Sequence, residues 1–244
     1  MGLNTHTARL GTGTLLALLL GSYLFGASAD ADSGSRNISK TNGRIEVGPD
    51  QQVGDVSSVN GSIWLADGVS AGQVRTVNGS IHLDGNVAIR QARTVNGGIE
   101  VQDQVVITGP LSTTNGSIEL EDGVRVEGEL STVNGAIRSG PGSTLADQVK
   151  TANGSIRLRN TQVGADVITS NGNIRLTEGT IVAGDLSVRG RQGWLERLSL
   201  WNNWHRPEIH IDSSSKVRGD IHLYREVELA IDPDAEVGEI IYHY

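Results

Sequence analysis

Three arginines, Arg138, Arg157 and Arg175, each stand four residues after an Asn-Gly pair, at intervals of 19 and 18 residues. Guanidinium groups recurring this evenly suit an anionic polymer, because each planar head offers carboxylate, sulfate or phosphate a fixed fork of donors. The same position is filled elsewhere by Glu46, Trp64, His82, Glu100 and Glu119. The row therefore also reads as a solvated charged face on which Glu119 pairs with Arg138. A second group is acidic. Glu208-Ile-His-Ile-Asp212 repeats as Glu228-Leu-Ala-Ile-Asp232, which sets Glu208 on Glu228 and Asp212 on Asp232 with His210 between. Paired carboxylates hold a divalent cation or raise one another's pKa, but no calcium nonapeptide repeat accompanies them, and a wet outer face is the plainer reading. A third group is aromatic: Trp194, Trp201 and Trp204 fall together in Arg191 to Pro207. Indoles stack on sugars or anchor interfaces. With Leu195, Leu198 and Leu200 among them, they equally suit a local cover over apolar surface.

What would turn these groups into a catalyst is missing from the sequence. There is no nucleophile elbow, zinc-ligand spacing or phosphate loop. The enzyme alternative is a polysaccharide lyase or hydrolase, which needs long loops walling a cleft and carboxylates at a set separation. The even spacing leaves room for such loops only at Arg191 to Pro207. The expectation is a protein that is not an enzyme and needs no metal or cofactor. Arg218-Gly219-Asp220 has the form of an integrin-binding tripeptide, but its place before Ile221 reads as a coil corner.

The elements that must position these residues are legible in a repeat. Asn-Gly occurs at Asn42, Asn60, Asn78, Asn96, Asn115, Asn134, Asn153 and Asn171, at intervals of 18 or 19. A period of this length marks a solenoid; a meander of two-residue hairpins would not hold one kind of turn at so constant an interval. Three residues after every Asn stands Ile, from Ile45 to Ile174, and two further on an aliphatic residue, with Ser139 the exception. That alternation is a strand with one buried face. Four residues before each Asn runs another aliphatic column, from Ile38 to Val167, so each coil contributes at least two sides. The Asn amides are expected to stack as a hydrogen-bonded ladder along the axis, and the following Gly to supply positive φ. Hydroxyls from Ser58 to Thr169, two residues before the turns, suit β-conformation. Asn-Gly-Ser at Asn60, Asn78, Asn115 and Asn153 also matches the glycosylation sequon, but a glycan would break the ladder.

The recurring Val-Asn-Gly-Ser-Ile of residues 59 to 63 and 77 to 81 resembles the bacterial adhesin-type family of β-strand-repeat proteins. The resemblance runs from about Ile38 to Tyr244. It implies a β-helical, exported, surface-associated protein and brings no catalytic motif. Bactofilins are similar in coil length but are cytoplasmic polymer formers, a pattern from which the N-terminal segment departs.

That segment has Arg9 before an apolar run from Leu15 to Phe25 and then Ala27-Ser28-Ala29, the form of a cleaved secretory signal. Gly21 and Ser22 interrupt the run, which is shorter than the roughly 20 apolar residues a spanning helix needs. Export to a periplasm, outer surface or medium is expected, with the mature chain starting at Asp30. The chain has no Cys, so stability there must come from stacking. Its net charge of −8 leaves no basic excess for phosphates, which disfavours nucleic acid. Gly is abundant at 32 residues and aromatics are scarce at 4%, which suits a thin aliphatic core.

The expected architecture is all-β: a single-stranded parallel β-helix, or β-solenoid, of 18–20 residues per coil, wound right-handed. Residues 1–29 are the signal peptide, 30–190 the regular coils, 191–207 the Trp-rich segment and 208–244 the C-terminal coils. Because Ile174 and Ile209 are 35 residues apart, nearly two coils, Arg191 to Pro207 is expected to occupy about one coil of its own. The expected function is a structural or adhesive solenoid at the cell envelope or surface. Its partners would be a cell-surface glycan or envelope component, or a second copy joined through the solenoid ends. A carbohydrate-binding module using the Trp segment is the alternative.

Overall fold

A computed structural model describes residues 35–190 and 206–244. They form a β-solenoid of 28 strands, with every strand pairing parallel and no helix among the described residues. Each coil has three sides, in keeping with the expected minimum of two. The first side carries strands such as Leu111–Asn115 and Leu130–Asn134, ending on the turn Asn. The second carries ten strands from Ile45–Val47 to Glu228–Ile231. The third carries two-residue strands from Val106–Ile107 to Glu236–Val237. In two early coils, Ser70–Arg75 and Ala88–Arg93 run unbroken around a corner, which joins the first and third sides into one 18-stranded sheet.

The columns of the sequence become columns in space. Ile118 lies between Ile99 and Ile137 on the second side, and Leu111 between Ala92 and Leu130 on the first. All of these are buried, and with Ile107, Val126 and Leu145 from the third side they make one aliphatic core. Filling such a position with Ile or Leu contributes about 1.5–3 kcal/mol per side chain.

Polar columns lock the coils together. Thr113 Oγ1 donates to Gly97 O at 2.8 Å and Thr132 Oγ1 to Gly116 O at 2.9 Å, each reaching the turn glycine one coil earlier. Thr76, Thr94, Thr151 and Thr169 do the same. The buried hydroxyl column thus satisfies turn carbonyls that would otherwise be orphaned. At the start of the stack, the buried Ser58 Oγ has no partner. Ser139, the exception among the aliphatics, accepts a hydrogen bond from buried Thr161 Oγ1 at 3.2 Å. It sits where an inner column on the third side changes from Val105 and Val124 to Ser143, Thr161 and Thr180.

The turn glycines are needed for a different reason from the expected one. Among them only Gly43 (φ +90°) and Gly97 (φ +158°) have positive φ. A Cβ on Gly116 would lie 2.1 Å from Gly97 O, and one on Gly135 1.9 Å from Gly116 O. Close approach of successive backbones, not handedness, demands glycine there.

The expectation of an extra coil at Arg191 to Pro207 is also corrected. Ile174 pairs directly with Ile209, and Leu186 with Ile221, so each 35-residue offset spans a single coil step. The additional chain is an insertion between the strand Leu186–Val188 and the strand Glu208–Ile211, at the corner where earlier coils place Asn-Gly. Pairing then continues at an offset of 20 on the second and third sides, with Glu208 opposite Glu228 and Val217 opposite Val237, and of 19 on the first, with Ile221 opposite Ile240.

Candidate functional site

The second side is a ten-stranded parallel sheet whose outward row can be followed strand by strand. Strands 4.7–4.9 Å apart put neighbouring side chains within mutual reach. The row starts with a stack of planar groups. Arg44 lies 4.9 Å from the Trp64 ring and His82 stacks on that ring at 5.0 Å. Trp64 Nε1 donates to Asp84 at 2.7 Å, and His82 Nδ1 meets Glu100 at 2.9 Å. Trp64 is thus engaged by Arg44 and His82 at its ring and by Asp84 at its N–H.

Further along, Glu119, Arg138, Arg157, Arg175 and His210 follow one another in register. Arg138 is neutralised by an ion pair with Glu119. Arg157 and Arg175 are exposed and have no carboxylate partner among the described residues, as is also true of Arg75 and Arg93, which pair in register on the first side. Arg157 and Arg175 line one cleft with Asn173, Glu208 and His210, floored by Ile156 and Ile174. Like charges on adjacent strands repel. Glu208 brings a carboxylate to the same cleft, and a further anion held near both guanidinium heads would offset their repulsion.

The acidic repeat is explained by local structure. Asp212 receives Ser215 Oγ at 2.7 Å, Glu178 N at 2.7 Å, and Ser214 Oγ and N at 2.9 and 3.1 Å. Partial burial works to raise its pKa, but these hydrogen bonds outweigh it and hold the carboxyl below the ordinary value. Asp212 thus organises a corner, and Asp232 accepts the Asp234 N–H at the equivalent corner. No group of three or more metal-binding side chains occurs among the described residues. Asp220 of the Arg-Gly-Asp tripeptide belongs to another ladder. Its N–H donates to Asp185 Oδ1 and its Oδ1 accepts from Glu239 N, both at 2.9 Å.

The Asn residues are joined along the axis. Each side-chain Nδ2 donates to Oδ1 of the Asn one coil earlier, from Asn60 on Asn42 at 3.1 Å to Asn171 on Asn153 at 2.9 Å. The chain runs without a break through Asn78, Asn96, Asn115 and Asn134. Its last acceptor, Asn171 Oδ1, is taken by Arg225 Nη1 at 2.6 Å. Nothing in the repeat pointed to Arg225, which lies 54 residues further on. Trp194, Trp201 and Trp204 lie outside the described residues, as does the N-terminal segment with Arg9 and Ala29. Comparison with known proteins is negative throughout: no family profile, no curated protein and no solved structure matches this chain.

Proposed function

We propose that this protein is an exported, non-catalytic β-solenoid that serves at the cell envelope or surface as a structural and adhesive element, and that it contacts acidic glycans through the basic row of its second side. The observation that carries the reading is the Arg157–Arg175 pair. Two cations adjacent in register, without a carboxylate partner among the described residues, stand on one sheet beside His210. Sugar acids along an extended polysaccharide present carboxylates to such a row as repeated bidentate acceptors. Export is supported by the Leu15 to Phe25 run and Ala27-Ser28-Ala29, and adhesion by the resemblance carried by Val-Asn-Gly-Ser-Ile.

The test uses the chain from Asp30 onward, with immobilised polygalacturonate as the acidic probe and dextran as the neutral one. Binding to polygalacturonate alone is expected, weakening as salt is raised because the contact is exposed. An Arg157→Gln, Arg175→Gln variant is expected to lose roughly five- to thirtyfold, since two exposed ion-pair contacts of about 0.5–1 kcal/mol each are removed. Equal binding to both polymers, or a double variant that binds like the parent, overturns the proposal.

A further inference from the structure

Asn-Gly is the dipeptide most prone to backbone-directed deamidation, because a glycine N–H without side-chain shielding can reach the Asn carbonyl carbon. Eight copies in one chain amount to a chemical liability. The fold cannot dispense with them: a Cβ at Gly154 or Gly172 would lie 1.9 or 1.8 Å from a carbonyl oxygen of the preceding coil. How the liability is contained, and where containment stops, can be read from the hydrogen bonds.

In six of the eight pairs the glycine N–H is engaged. Gly43, Gly61, Gly79, Gly97, Gly116 and Gly135 each donate to the backbone carbonyl of the Asn one coil later, at 3.0–3.1 Å. A nitrogen whose proton is held this way must break a bond before it can act as a nucleophile. Gly154 and Gly172 have no such acceptor among the described residues. These two differ in turn at the side chain. The Asn153 amide is held on both sides, donating to Asn134 and accepting from Asn171. Asn171 likewise donates to its ladder neighbour Asn153 at 2.9 Å, but its Oδ1 accepts from the Arg225 guanidinium at 2.6 Å instead of from another amide. A cation on that oxygen polarises the carbonyl and stabilises the oxyanion that forms when Cγ is attacked.

We infer that Asn171–Gly172 is a built-in deamidation site, activated by Arg225, while the ladder protects the other Asn-Gly pairs. Gly172 N loses its proton to solvent base and attacks Asn171 Cγ. The N–Cγ bond forms, the Cγ–Nδ2 bond breaks, and Nδ2 leaves as ammonia after taking up a proton. Water then opens the cyclic imide to aspartate or isoaspartate, with no oxidant or reductant involved. The product carboxylate remains opposite Arg225, and the ladder ends at Asn153 instead of Asn171. The end of the amide stack thereby changes from neutral to ionic, and Asn153 Oδ1 loses the donor that Asn171 Nδ2 supplied. This inference stands independently of the glycan proposal, since Arg225 and Asn171 take no part in the Arg157–Arg175 row.

The experiment is a time course of the folded full chain in mildly alkaline buffer, followed by peptide mapping with mass spectrometry and isoaspartate detection. Asn171 is expected to convert roughly tenfold faster than each of the six pairs with an engaged N–H, the size of effect that one lost hydrogen bond and a charged donor allow. In denaturant the eight sites should converge, because local sequence is then all that distinguishes them. Arg225→Gln should slow conversion at Asn171 and leave the other rates unchanged, with Arg225→Lys in between and circular dichroism confirming that both variants fold. Earlier conversion at any other Asn-Gly overturns the inference, as does a rate at Asn171 that is unchanged or raised in Arg225→Gln.

Discussion

Replacing turn glycines by alanine separates close approach from handedness, because Gly43 and Gly116 occupy the same turn for different reasons. At Gly116 a Cβ would stand 2.1 Å from Gly97 O, whereas ordinary contact begins at 3.4 Å. The two coils must therefore part by about 1.3 Å at that corner, the difference between those distances. Three of the bonds that cross the junction lie at the turn itself: Gly97 N to Asn115 O at 3.0 Å, Thr113 Oγ1 to Gly97 O at 2.8 Å and Asn115 Nδ2 to Asn96 Oδ1 at 2.9 Å. A shift of that size takes all three beyond hydrogen-bond range. At about 0.5–1.5 kcal/mol each, Gly116→Ala is expected to cost about 1.5–4.5 kcal/mol. Gly43 has open space around it but φ of +90°, so Gly43→Ala costs about 1–2 kcal/mol of backbone strain. Both variants lose the same unfolded-chain entropy, so that effect cancels in the comparison. The assay is urea unfolding followed by circular dichroism, comparing midpoints at matched slope. A cost at Gly43 equal to or greater than that at Gly116 would refute the close-approach argument and restore positive φ as the role of the column.

Three further outcomes are expected. Asn115→Ala should destabilise by about 1–3 kcal/mol and Asn42→Ala by about half as much, because Asn115 bonds to ladder neighbours on both sides and Asn42 on one; equal midpoints in urea would dissolve the ladder as a stabilising unit. Thr132→Val strands the Gly116 carbonyl and should cost about 1–3 kcal/mol, whereas Ser58→Ala, which removes a buried hydroxyl without a partner, should be neutral or stabilising by thermal melting. The Asp212 carboxyl is held below its ordinary value of 3.8 in the folded chain. Its contribution is therefore present above that value and lost as the pH falls through the lower folded one. Asp212→Asn should flatten this acid limb in urea midpoints measured against pH, and identical limbs in both proteins would show that the carboxylate contributes nothing there.

The even Asn-Gly interval, the Ile column after it and the aliphatic column before it determine by themselves a parallel β-solenoid and which residues face its core. Stacking in register copies each local choice onto the next coil, so one coil's pattern is repeated evidence for all of them. The outward row from Glu46 to Arg175 is equally legible, since a strand's alternation assigns its faces. Only the tertiary structure decided what depends on contacts between coils. It showed that the turn glycines answer to the carbonyl of the coil before, and that the threonines bond that same carbonyl. It also placed Ser139 beside Thr161, and showed that the 35-residue gap is one coil step with an insertion. Arg225 at the end of the Asn ladder belongs with these: a partner 54 residues away leaves no local signature, because its position is set by winding of the chain and not by the repeat.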